Sequence, residues 1–149
     1  MAAVRTATAS WQGDLMSGSG TTSAGSSDTF RDLPISWGSR TEAPEGRTSP
    51  EELLAAAHAS CFAMAFAADL VRAGTPPEHL HVEAEVTFDK LEAGWTVVSS
   101  RLIVLGTAPG ATAASFDEVA AKTKDGCPIS RALAGNVSLS VEATLETDG

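Results

Sequence analysis

Basic residues are scarce in this chain: ten Lys and Arg stand against nineteen Asp and Glu, giving a formal charge of −9. Phosphate recognition and docking on anionic lipid both need clustered Lys and Arg, so nucleic acid and membrane surfaces are excluded as partners. A long apolar run is also missing. The longest, Leu53 to Ala68, is rich in alanine and broken by His58 and Ser60, which fits a buried core helix better than a span of about 20 apolar residues. The first ten residues contain no apolar core of a secretory signal, and the expected location is the cytoplasm. Cysteine is nearly absent. Two thiols, Cys61 and Cys127, in a reducing compartment are more often free or a cycling pair than a structural staple. There is no internal repeat, and the only biased stretch is the Gly, Ser and Thr-rich segment 16–28.

What remains is an ordinary globular composition, 43% hydrophobic and 19% charged over 149 residues, enough for one domain, 1–149, with its own core. Residues 3–11 read as a strand ending at Trp11, Gly20–Ala24 as a second and Leu33–Trp37 as a third. The segment from Gly38 to Arg47 reads as an ordered loop. Ser49-Pro50-Glu51-Glu52 is a capping box with proline at the first helical position. It predicts a helix to about Arg72, stopped by Gly74 and buried on most faces. Val82, Ala84, Val86 and Phe88 alternate with polar residues, and Glu92-Ala93-Gly94 turns the chain into a partner strand from Trp95 to Gly106. Ser115-Phe116-Asp117-Glu118 predicts a helix start, Pro128 a short helix, and Val137 to Leu145 a last strand. The order predicts an α+β domain, a long buried central helix packed on antiparallel sheets.

A thiol is a weak nucleophile until ionised. Cys127, between Gly126 and Pro128, sits at a helix start where free N–H groups favour negative charge. Cys61, about twelve residues into its helix among alanine and phenylalanine, gains nothing from the dipole, and burial raises its pKa. Local physics therefore picks Cys127 as the attacking thiol. Other readings stand beside a redox pair. His58 and Cys61, three apart, have metal-ligand spacing, and with Cys127 and His79 or His81 would complete a zinc site. A non-catalytic metal- or small-molecule-binding module would use His58, Cys61 and Cys127 in this way. Both cysteines as inert small core residues is the third reading.

Four segments in this order resemble the OsmC/Ohr family, the osmotically inducible and organic hydroperoxide resistance proteins. They are Trp11-Gln12-Gly13-Asp14, Ser49-Pro50-Glu51-Glu52-Leu53, Ala56-Ala57-His58-Ala59-Ser60-Cys61-Phe62 and Gly126-Cys127-Pro128-Ile129-Ser130. The resemblance implies an intertwined homodimer and a cysteine-based peroxidase, with no cofactor or metal, acting in oxidative or osmotic stress. Hydroperoxides, organic or hydrogen peroxide, are the implied substrates. Carried over, Cys61 matches the peroxidatic cysteine, Cys127 the resolving cysteine that forms a disulfide with it, and Glu51 the acid that holds an arginine. Arg40 lies where the OsmC-like branch places that arginine, with Arg47 as its alternative; the Ohr-like position, Asp14 to Gly18, has none. An arginine would lower the Cys61 pKa and stabilise charge on oxygen as the O–O bond breaks. Glu51 is ten residues, about 15 Å of helix rise, from Cys61 and would act through the arginine. An external dithiol, lipoyl-type by resemblance, would reduce the disulfide. Phe62, Met64 and Phe66 are candidates for an alkyl-binding pocket.

Overall fold

The computed structural model describes residues 1–147; Asp148 and Gly149, the end of the expected domain, lie outside the described residues. The chain forms two compact units, Met1–Leu53 and Leu54 onward.

In the first unit, β1 (Ala7–Gln12), β2 (Ser19–Ala24) and β3 (Leu33–Ile35) form an antiparallel sheet in that order. β1 starts four residues later than its composition suggests and is exposed along its length. Gly13, at φ 89°, turns the chain, and the Asp14 carboxylate closes the turn by accepting from the N–H and hydroxyl of Ser17, both at 2.8 Å. Gly20 pairs with Trp11. A Cβ there would lie 2.4 Å from the Ser10 carbonyl and 2.7 Å from the Trp11 ring, so only glycine lets the indole lie across the sheet. Helix α1 (Trp37–Thr41) replaces part of the expected third strand and of the loop after it. Ser36 accepts from the Ser39 N–H and Ser39 reaches back to the Ser36 N–H, a capping box too short in its helix to leave a periodic signal.

Helix α2 (Pro50–Arg72) starts and stops where its sequence says. The Ser49 hydroxyl accepts from the Glu52 N–H at 3.1 Å. The reciprocal half of the expected box is not made, because the Glu52 carboxylate accepts from the Thr48 hydroxyl instead. Gly74, at φ 86°, ends the helix, with the Thr75 N–H donating to the Leu70 carbonyl. In the second unit α2 buries Phe62, Phe66 and Leu70 completely, against Leu102 and Val104 of the sheet and Phe116 and Ala120. Each such side chain contributes about 1.5–3 kcal/mol. Phe66 is tilted against both Phe62 and Phe116, with ring centroids 5.4 and 4.9 Å apart. By length and composition α2 is apolar enough to cross a membrane, yet its aromatic face is core. Burial on most faces leaves one stripe out: Ala56, Ser60, Met64 and Ala68, at i+4 spacing, are exposed in this chain.

The hairpin is β4 (His79–Leu91) and β5 (Gly94–Thr107), antiparallel with a bulge beside Thr87 and Phe88. The fold class is α+β, but one pairing departs from the antiparallel expectation. β6 (Ser138–Leu145) joins β5 in parallel, because α3 (Ala113–Gly126) and α4 (Pro128–Leu133) carry the chain back as a crossover. The cap of α3 is Thr112, three residues before the Ser115 expected; Ser115 is the reciprocal partner in that box.

Candidate functional site

Cys127 is at once the C-cap of α3 and the N-cap of α4. Pro128 at the first position of α4 disfavours helical dihedrals in the residue before it, and Cys127 is extended at φ −60°, ψ 135°. The chain therefore turns at this residue, with its N–H donating to the Thr123 carbonyl and its own carbonyl accepting from Arg131. Its sulfur is 3.3 Å from the sulfur of Cys61 on α2. Both cysteines are reduced; Cys127 is buried and Cys61 half-buried. A disulfide, at about 2.05 Å between sulfurs, needs an approach of little more than an ångström.

The two thiols have opposite electrostatics. Burial pushes the Cys61 pKa up from its ordinary 9.0, the Ile129 N–H lowers it, and Cys127 raises it again. Burial also works against the Cys127 thiolate. It is outweighed by the N–H and hydroxyl of Ser130, the Cys61 thiol and the Ile129 N–H, so the pKa of Cys127 falls below 9.0. Of the two thiols, ionisation is therefore easier at the deeper sulfur, as helix-start physics predicts.

His58, one turn before Cys61, is completely buried between two hydroxyls that are also completely buried. Its Nδ1 lies 2.7 Å from Ser100 Oγ of β5 and its Nε2 2.8 Å from Ser130 Oγ of α4. Burial lowers its pKa from 6.5, keeping the ring neutral. Neither serine was singled out by sequence reasoning. Ser130 stands in the Gly-Cys-Pro-Ile-Ser segment, a signal that was available, whereas Ser100 has no local signal. With both ring nitrogens occupied, His58 has no lone pair to offer a metal. His79 and His81 lie exposed on β4, and among the described residues no three His, Cys, Asp or Glu side chains converge as a metal site.

The remaining candidates belong to the first unit. Glu51, in the first turn of α2 and 7% exposed, takes the Arg40 guanidinium in a fork. Arg40 Nε lies 3.2 Å from both carboxylate oxygens and Nη2 2.6 Å from Oε1. The guanidinium also lies 5.5 Å from the centre of the Trp37 ring, a cation–π distance. Arg47 is exposed, so of the two arginines weighed it is Arg40 that Glu51 holds. A cleft of about 250 Å³ beside Arg40 is lined by Trp11, Leu15, Ile35, Ser36, Trp37 and Pro50. The alkyl-pocket candidates are corrected accordingly. Phe62 and Phe66 are core, Met64 is 70% exposed, and the apolar cleft of this unit is walled by the two tryptophans.

A family model described as OsmC-like protein matches residues 43–142. Peroxiredoxin OsmC of Escherichia coli (strain K12) is 38% identical over 131 residues, covering 88% of this chain and 90% of that protein. Among solved structures, the organic hydroperoxide resistance protein OhrB of Bacillus subtilis matches with a TM-score of 0.69 at 23% identity, covering 93% of this chain and 98% of that one. An OsmC like protein from Mycoplasma pneumoniae matches at 0.73 and 16% identity, over 99% and 100% of the two chains. At those identities the structural likeness carries the fold alone.

Proposed function

Because the chain belongs to the OsmC-like family, we propose that it is a thiol-dependent peroxidase of the OsmC-like branch, reducing organic hydroperoxides and hydrogen peroxide in stress defence. The observation that carries the reading is the 3.3 Å separation of two reduced sulfurs, one half-buried and one buried. The named relative at 38% identity supports the peroxidase class.

Accessibility and charge divide the roles. Cys61 is the sulfur a peroxide can meet. Its thiolate attacks one peroxide oxygen, the O–O bond breaks, an alkoxide or hydroxide leaves and takes a proton, and Cys61 becomes a sulfenic acid. Cys127, whose pKa is already lowered, then attacks the Cys61 sulfur. The S–S bond forms, the S–O bond breaks and water leaves. An external dithiol of lipoyl type returns both thiols. Burial holds the Cys61 pKa up, so the first step needs a cation. Arg40 is assigned that role on the family resemblance and on its capture by Glu51, which fixes the guanidinium with three charge-assisted contacts.

A homodimer with one domain spanning 1–149, acting in the cytoplasm, completes the reading. It is supported by the apolar stripe that α2 leaves exposed in a single chain, Met64 at 70% and Val71 at 58%. The test is titration of free thiols before and after one equivalent of organic hydroperoxide per subunit. Loss of both, restored by a dithiol, is expected; two thiols left untouched would overturn the reading.

A further inference from the structure

Helix α1 is a single turn of five residues, Trp37–Thr41, and none of them is fully buried. A turn this short does not hold itself, and with no buried residue it serves no core, yet the chain ties it down on both sides. The Ser36 and Ser39 box closes its start, and the Thr41 hydroxyl donates back to the Trp37 carbonyl at 3.1 Å. The Ser39 hydroxyl also donates to the Thr48 carbonyl at 2.8 Å, fastening the turn to the segment that enters α2. Trp37 and Arg40, three residues apart, are therefore neighbours on a fixed turn. Two different contacts bear on the guanidinium. Glu51 takes its Nε and Nη2 edge. A fork of that kind aims the edge of the ion but leaves a soft pivot about the axis that joins the two groups. The Trp37 ring lies over the guanidinium carbon, 5.5 Å from ring centre to carbon, so it bears on the face of the ion and opposes that pivot. Arginine is the one cation that can fork and stack at once, and tryptophan is the best ring for it.

We propose that Trp37 is a positioning residue for the peroxide-cleaving step: its ring fixes the plane of the Arg40 guanidinium, whose edge Glu51 fixes, so the cation is set before the O–O bond breaks. Charge that is preorganised needs no reorientation as the bond breaks. No bond to Trp37 forms or breaks. The Cys61 thiolate still gives its electron pair to one peroxide oxygen, and the other still leaves as alkoxide or hydroxide and takes a proton. The competing role for Trp37 is as a wall of the cleft of about 250 Å³ that it lines with Trp11. A wall acts on the organic body of a substrate, and hydrogen peroxide has none. The inference rests on the peroxidase reading for its consequence, but not for its geometry.

The test is single-turnover sulfenic acid formation with hydrogen peroxide. Trp37→Leu should slow it about fivefold, the factor that a cation–π contact at a part-buried site corresponds to, and Trp37→Phe should recover most of the loss. In an Arg40→Met background Trp37→Leu should cost less than about twofold, because the two side chains act as one unit. An unchanged rate with hydrogen peroxide, beside a raised KM for a bulky organic hydroperoxide, would make Trp37 a wall only and overturn the proposal. The same fivefold loss without Arg40 would overturn it as well, by showing a general effect on the fold. A measurement on the wild-type protein needs no variant: proton NMR is expected to show nuclear Overhauser contacts between the Arg40 side chain and the Trp37 ring, and their absence would overturn the proposal. If wild-type Cys61 is not oxidised by any hydroperoxide, the peroxidase reading fails, and the NMR contacts still decide whether Trp37 holds Arg40.

Discussion

Oxidising the thiol pair should stabilise the protein measurably, and the sequence separation sets the size. A Cys61–Cys127 bond would close a loop of 66 residues. The loss of chain entropy in the unfolded state for a loop of that length corresponds to about 4 kcal/mol at 25 °C. The sulfurs start 3.3 Å apart, so closure requires a small shift of well-packed helices; that strain is set against the entropic gain and about 2–4 kcal/mol is expected to remain. At a slope of about 2 kcal/mol per molar urea, the unfolding midpoint should rise by about 1–2 M. The assay is urea unfolding of reduced protein against protein oxidised by one equivalent of hydroperoxide, at equal concentration, with mass spectrometry confirming the disulfide. Cys127→Ser, treated alike, should show no such rise. An oxidised form no more stable than the reduced one, with the disulfide confirmed, would refute the reasoning. The reduced geometry would then not be the one from which the bond closes.

Arg40→Met should slow sulfenic acid formation by about a hundredfold, the usual cost of losing one preorganised charge. Glu51→Gln should cost less in rate but lower stability by about 1–3 kcal/mol, since it strips the countercharge from a part-buried guanidinium; stopped-flow kinetics and urea unfolding separate the two. His58, with its folded pKa below 6.5, favours the neutral form in the fold. Its contribution is fully present above pH 6.5 and is lost as pH falls below that value toward the folded pKa, by up to about 1.4 kcal/mol per pH unit. Wild type should therefore lose stability on acidification from pH 6.5 more steeply than His58→Gln. Met64→Lys, placing charge on the exposed stripe of α2, should shift sedimentation toward a monomer, and an unchanged dimer would move the interface elsewhere.

The elements with local signatures were legible. The cap at Ser49 and the stop at Gly74 bracket α2 to the residue, and the alternation from Val82 to Phe88 describes a strand with one face in the core. The departures have local causes too. Ser115 and Thr112 are both good cap residues, and the choice between them depends on where the chain leaves β5. α1 is a single turn, below the length at which periodicity can be read. The direction of β6 lay beyond the sequence, because alternation reports the buried face of a strand and says nothing about its partner.

The candidate site divides in the same way. The sequence by itself determined the two thiols and the helix start whose Ser130 and Ile129 N–H groups lower the Cys127 pKa, since these lie within a turn, whereas the burial and the Cys127 contact that raise the Cys61 pKa come from the packed fold. It also supplied both members of the Arg40–Glu51 pair, but not the choice of Arg40 over Arg47. Only the tertiary structure decided which groups meet across long stretches of chain: the sulfurs over 66 residues, and His58 with Ser100 over 42 and with Ser130 over 72. A helix dipole or a burial pattern is a sum over near neighbours, and a sequence carries it directly. A hydrogen bond between distant residues requires positions fixed to a few tenths of an ångström, and those are set only when the whole core has packed.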